Sequence, residues 1–376
     1  YRRQRQMCIR DRADTYAAST FIGFWAGKTT STGTDNAFIG TQAGQLNTTG
    51  SFNTAVGLAP LQVNTTGANN TALGYTALRN NTTASWNTAV GYQAAYTNST
   101  GARITAIGAA ALQYATTASD LTAVGYGALN ANTSGYESTA VGTEALKTNT
   151  TGLRNSAFGF QSLYSNTTAS NNTAVGYQAY YTMGATGGGG GTAIGYQAMK
   201  NATDTFGNST GIGYQSLYSV TSGGNNLAVG VQSGYNITTG SDNTAVGGYR
   251  ALYTNTTGSS NTAIGREALY LNNASDNTAV GYQAAYTGST ASGVVAIGKS
   301  TLYNNTAGYN TAVGYSVLYA NTTGQYNVGI GGYGGGDSTL RYNTTGSNNT
   351  AVGMDALRSN TTCLLYTSPS PRDATL

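Results

Sequence analysis

Short apolar runs and polar stretches alternate along this chain with a beat of 17 residues. At each beat stand a small residue, an aliphatic or Phe, and then Gly. Gly23, Gly40, Gly57, Gly74, Gly91, Gly108, Gly125, Gly142, Gly159 and Gly176 are each 17 apart, and small offsets carry the series on through Gly195 and Gly213 to Gly353. With that Gly as position 0, the consensus is N-T-A-V-G-Y-Q-A-L-Y-x-N-T-T-G-S-N. Position −1 is Ile, Val, Leu or Phe in all 20 copies, and −2 is Ala or Gly except at Phe21 and Phe38. A fixed period of this length predicts a solenoid, in which each coil buries its apolar residues by stacking on its neighbours.

Within one coil the apolar positions lack helical spacing. Two runs of four or five residues flank the Gly, which predicts two short strands and a polar loop per coil, each strand pairing in parallel with its equivalent in the next coil. At a ladder spacing of about 4.8 Å, 20 coils would extend roughly 95 Å. The Gly belongs where the chain bends, at a positive φ or where a Cβ would clash. Asn47-Thr48-Thr49-Gly50 and its equivalents supply turn residues. Pro60, the single proline between residues 13 and 362, agrees with a backbone that needs its N–H groups for ladders. Two coils are lengthened, by two residues at Gly184–Gly191 and by five at Gly331–Asp337, and both read as longer turns within a single repeat domain over 13–362.

Alternation along a strand places −1 and −2 on opposite faces. The bulky −1 residue is assigned to the interior and −2 to the outside, where its strict smallness needs a cause. Either another chain packs closely on that strand, or the coil is so thin that the alanine is itself internal.

The termini fall outside the repeat. Residues 7–11 read Met-Cys-Ile-Arg-Asp and 363–367 read Cys-Leu-Leu-Tyr-Thr. ATGTGTATAAGAGACA encodes the first, and its reverse complement TGTCTCTTATACACAT encodes the second. Residues 1–12 and 363–376 are therefore expected to be translated sequencing adapters around a fragment, and are excluded from fold reasoning. The full chain carries 17 Lys and Arg against 13 Asp and Glu; without those ends the numbers are 11 and 11, so the net charge falls from +4 to zero. Attraction to nucleic acid or an anionic membrane then has no support. Both cysteines, Cys8 and Cys363, leave with the ends, and with them any disulfide framework. No stretch approaches the roughly 18 apolar residues of a membrane span.

Histidine is absent and the acidic residues are scattered. Acid–base pairs, catalytic triads and His or Cys metal sites have no candidates, so neither enzyme activity nor a cofactor or metal is expected. Asn47, Asn64, Asn98 and Asn166 head glycosylation sequons, yet Asn and Thr recur because the turn recurs, which is the preferred reading. Tyrosine is in excess, with 29 copies. It favours +1 (Tyr75, Tyr92, Tyr126, Tyr177, Tyr196, Tyr214, Tyr282, Tyr315) and +5 (such as Tyr96, Tyr164, Tyr218, Tyr253, Tyr286, Tyr303, Tyr319), which predicts aromatic ladders. The +1 row is a candidate surface for a glycan or protein receptor; alternatively the rings only cover the edges of the coils.

The recurrent N-T-A-V/I-G core, as at Asn53–Gly57, Asn87–Gly91, Asn172–Gly176, Asn243–Gly247, Asn277–Gly281 and Asn349–Gly353, resembles the head repeats of the YadA-like trimeric autotransporter adhesins, a repeat class shared with bacteriophage tail fibres. The resemblance covers 13–362. It implies a left-handed parallel β-roll assembled as a homotrimer, and makes Ala55, Ala72, Ala89, Ala123, Ala174 and Ala245 the candidate contacts between chains. The polar turn is longer than in the adhesin heads, and no neck or coiled-coil stalk accompanies it. The function expected is a structural and adhesive segment of a virion or cell-surface fibre, extracellular, with a surface glycan or protein as receptor. The alternative is an ice-binding solenoid, in which threonine rows order water on a flat face.

Overall fold

A computed structural model describes residues 18–183, 189–203, 208–334 and 338–364, together with the backbone of 367–368. The chain forms two compact units, Tyr1–Thr186 and Gly187–Leu376. Each is an all-β parallel solenoid with one coil per repeat, and the described residues contain no helix. Residues 1–12, Gly184–Gly188 and Gly335–Asp337 lie outside the described residues.

One strand, rather than the expected two, forms in each coil. It covers −3 to −1, as in Thr54–Val56, Thr71–Leu73 and Thr88–Val90. Pairing is parallel and in register over these three positions, Thr54 beside Thr71, Ala55 beside Ala72 and Val56 beside Leu73; where Leu227–Val231 and Thr244–Tyr249 run on past the Gly, the register shifts after Val229. The second apolar run does not extend because +2 and +4 are left-handed: φ is +51° at Thr76, +47° at Leu78, +54° at Gln93 and +49° at Ala95. These turns still bond to adjacent coils, Leu78 N–H donating to Ala94 O at 2.9 Å and Thr76 N–H to Leu58 O at 2.9 Å. The ladder therefore runs around the whole coil, although three residues carry it in extended form.

From Gly23 to Gly159 and from Gly195 to Gly331 the repeat Gly meets both conditions expected of it, Gly247 alone meeting only the second. At Gly74 φ is +133°, and a Cβ would lie 2.5 Å from Gly91 O in the next coil. No other residue fits that corner.

The assignment of strand faces is reversed. Ala55, Ala72, Ala89, Ala123 and Ala174 are fully buried and Ala245 is 1% exposed, each inside its own chain. The −1 side chains point out: Leu73 is 46% exposed, Ile107 40% and Val352 49%. The coil is thin, and the −2 alanine is small because the +4 leucine faces it across the interior; Leu61, Leu78, Leu112 and Leu129 are fully buried. The six alanines cannot be the contacts between chains.

Asparagine fills the rest of the interior. At +7, Asn64 Nδ2 donates to Asn47 Oδ1 at 2.7 Å and to Gly67 O at 2.9 Å, and Asn81 Nδ2 donates to Asn64 Oδ1 in turn. At −4, Asn70 Oδ1 accepts the backbone N–H of Asn87 at 3.0 Å, while Asn70 Nδ2 donates to Ala84 O at 2.9 Å. Two amide rows thus satisfy the turn carbonyls that a purely apolar core would strand. Asn98 Oδ1 and Asn166 Oδ1 are without partners because the next +7 residues are Ala115 and Met183.

Of the insertion at 331–337, Gly335–Asp337 are not described, and only its two sides can be placed. Gly332 and Ser338 form an antiparallel bridge, and Leu340 resumes the buried +4 place. At the C-terminal end Asn349 Nδ2 donates to Cys363 O at 3.0 Å, and Thr367–Ser368 pairs with Thr350–Ala351, so this segment extends the last coil.

Candidate functional site

Two surfaces are distinctive, the outer face of the strands and the Gly corner beside it. On the strand face, −3 and −1 both point outward. In the first unit Thr54, Thr71, Thr88, Thr105, Thr122 and Thr139 form one row, in register from coil to coil. Beside it runs the −1 row of Val56, Leu73, Val90, Ile107, Val124 and Val141, half-buried to exposed. An uncharged stripe of aliphatics in continuous register is not the scattered apolar exposure ordinary for a soluble surface.

Around the Gly corner, +1, +2 and +5 are the outward positions, since +3 and +4 are buried. The +1 tyrosines are broadly exposed, Tyr126 at 59% and Tyr282 at 39%, but they do not form one ladder. Tyr75 stacks on Tyr92 with ring centroids 5.2 Å apart, Tyr177 on Phe160, and Tyr196 on Tyr214. Tyr126 stands between Ala109 and Thr143 in its row. Tyr282 and Tyr315 instead share Lys299, whose Nζ lies 5.7 and 5.6 Å from their centroids. The continuous ladder is at +5: Tyr218, Tyr235, Tyr253, Tyr270, Tyr286, Tyr303 and Tyr319 stack at 4.9–5.4 Å. Burial within this stack pushes the Tyr286 and Tyr303 hydroxyls above the usual tyrosine range.

Between the two aromatic rows lies a glutamine row at +2. Gln178 Nε2 donates to Gln161 Oε1 at 2.9 Å, Gln161 to Glu144 Oε2 at 2.8 Å, and Gln232 to Gln215 at 3.1 Å. The Lys147 ammonium, 2.6 Å from Glu144 Oε1, holds that carboxyl below the usual glutamate range, with Gln161 assisting. The glutamines hold +2 of the consensus, where residue type alone does not set them apart from the other polar positions. Their spacing at 17 was the available signal.

The sequon asparagines are interior. Asn47, Asn64, Asn98 and Asn166 are fully buried, and each amide nitrogen donates to a turn carbonyl in its own coil. The folded chain presents none of these four nitrogens for glycosylation. Among the described residues no group of three or more His, Cys, Asp or Glu could hold a metal ion, and no helix is long and apolar enough to cross a membrane.

Neither a protein-family model nor a curated protein matches the chain. Any functional reading therefore stands on these surfaces and on the repeat itself.

Proposed function

We propose that this chain is a structural and adhesive segment of an extracellular fibre, of the kind that its likeness to YadA-like and tail-fibre repeats implies, and that it self-associates as a homotrimer through the strand face. The observation that carries the reading is the −1 row, aliphatic but for Phe158, outward in every described coil and in register within each unit. A second copy is its natural occupant, because it brings the same row at the same coil spacing and matches it rank for rank. Ten side chains, six of them 37–46% exposed and four less so, present at most on the order of 700 Å² in one unit, before the threonines are counted. A stable interface takes about 800 Å² from each partner. The Gly corner, with its tyrosines and amides, stays outside that contact and faces the receptor. Sedimentation of the expressed chain tests the reading: an assembled species supports it and a monomer opposes it.

Ice binding is favoured by one observation, the threonine row at −3, which repeats at the coil spacing without insertion from Thr54 to Thr139. Both functions require the same face, so they exclude each other. A monomer with measurable thermal hysteresis would establish ice binding; an assembled chain without hysteresis would remove it.

A further inference from the structure

One interruption of the glutamine row in the first unit opens a cavity. Gln42 and Gln93 hold the +2 place in their coils, but between them stand Ala59 and Thr76. The shortened side chains leave a cavity of about 260 Å³, walled by Leu58 and Tyr75 at +1 and by Gln62, Arg79 and Tyr96 at +5. We propose that this cavity binds one carboxylated pyranose unit of a surface polysaccharide. The inference deepens the receptor-contact part of the fibre reading and rests on it for biological setting only.

The chemistry comes from the walls. Tyr75, 46% exposed and braced from behind by Tyr92, offers a fixed aromatic face to the C–H face of a sugar ring. Gln42 and Gln93 bring amide donors and acceptors to the two ends, suited to ring hydroxyls. Arg79 is the one cation of the cavity, and no acidic side chain lines it. Its Nε donates to Gln62 Oε1 at 2.6 Å and its Nη1 to Tyr96 Oη at 2.8 Å, which fixes the guanidinium while leaving three of its five N–H groups for a carboxylate. The volume falls just below the roughly 300–1,000 Å³ of sites for drug-sized ligands, the scale of one sugar ring.

Thr76 points to a site independently. Among the described residues it is the only β-branched side chain at a positive φ, +51°, where glutamine, glutamate, alanine or serine stands in most other coils. A β-branched residue there is strained. Its hydroxyl is also buried without a hydrogen-bond partner in the protein. The Gln of neighbouring coils would fill the space without those two costs.

The test compares the full chain with two variants that borrow residues from adjacent coils, so that the fold is kept: the double change Ala59→Gln with Thr76→Gln, and Arg79→Gln. Binding is measured by calorimetry with galacturonate, glucuronate and mannuronate oligosaccharides, their methyl esters, and oligoglutamate. We expect at least one uronate series to bind, the double variant to bind it at least about tenfold more weakly, and Arg79→Gln to lose about tenfold for the acid while leaving the ester unchanged. Uronate binding that is absent, or that survives the double variant undiminished, overturns the proposal, as does a preference for oligoglutamate. Sedimentation of the same samples separates the two ideas: an assembled chain that binds no sugar refutes the cavity alone, and a monomer that binds refutes the assembly alone.

Discussion

Phe38 and Gly44 are a matched pair across the interior of one coil. A Cβ on Gly44 would lie 2.4–2.6 Å from three ring atoms of Phe38, and Gly27 stands in the same relation to Phe21 in the coil before. These are the only two coils with a large −2 residue, and both give up the +4 leucine for glycine. The pair shows that −2 and +4 share one buried volume. We expect Phe38→Ala to cost about 3–5 kcal/mol through the cavity it leaves. Gly44→Leu alone should be destabilising through overpacking. The double variant recreates the common Ala and Leu pairing, and should recover most of the loss. Chemical denaturation of the three variants measures the coupling; additive effects would refute a shared volume.

The interrupted asparagine row makes a prediction of the opposite sign. Asn98 Oδ1 lacks a donor because Ala115 follows it. Ala115→Asn should supply that donor and raise stability by about 1 kcal/mol, whereas Asn81→Ala strands Asn64 Oδ1 and should cost about 1–3 kcal/mol. Denaturation midpoints read both.

The stacked tyrosines set an alkaline limit. Burial raises Tyr286 and Tyr303 above the ordinary value of 10.0, so the neutral hydroxyl is favoured in the folded chain. Their contribution is fully present below the unfolded value. It is lost as pH climbs from there through the folded values, because the unfolded chain then holds fewer protons than the folded one. Tyr342 moves the other way, held low by its hydrogen bond to Arg358 and then by Arg341. Tyrosinate absorbance should therefore rise in two stages, the late stage coinciding with loss of β circular dichroism. A single early stage with the fold intact would contradict the stacking.

Neighbouring residues on one strand should respond oppositely to the same substitution. Ala89 is fully buried, so Ala89→Lys places a charge in the interior and should unfold its coil. Val90 points outward, and Val90→Lys should keep the coil while weakening association. Circular dichroism and light scattering on the pair distinguish the effects.

Architecture was legible from sequence because period, parallel register and the corner glycine each follow from one repeated constraint. Strand faces were not, because alternation states only that −1 and −2 differ, and the usual rule of larger inside misplaces Val56 and Ala55. The signal that would have settled it is within the chain: Phe21 with Gly27 and Phe38 with Gly44 vary together, which only shared burial explains. The second expected strand failed for a different reason. Leu78 and its equivalents take a left-handed backbone conformation that apolar patterning does not report. The tyrosines at +5 read correctly as a ladder over Tyr218–Tyr319; those at +1 did not, because Ala109, Thr143 and Val231 interrupt them. The cavity at Thr76 was hidden, since it arises from what two coils lack.

Sedimentation equilibrium of the native chain beside a variant with Leu73, Val90 and Ile107 all changed to Lys is the most direct test of outward-face assembly. We predict three times the 38.4 kDa chain mass for the native protein and a folded single chain for the variant. A native protein that sediments as one chain, or a triple-lysine variant that remains fully assembled, would contradict it.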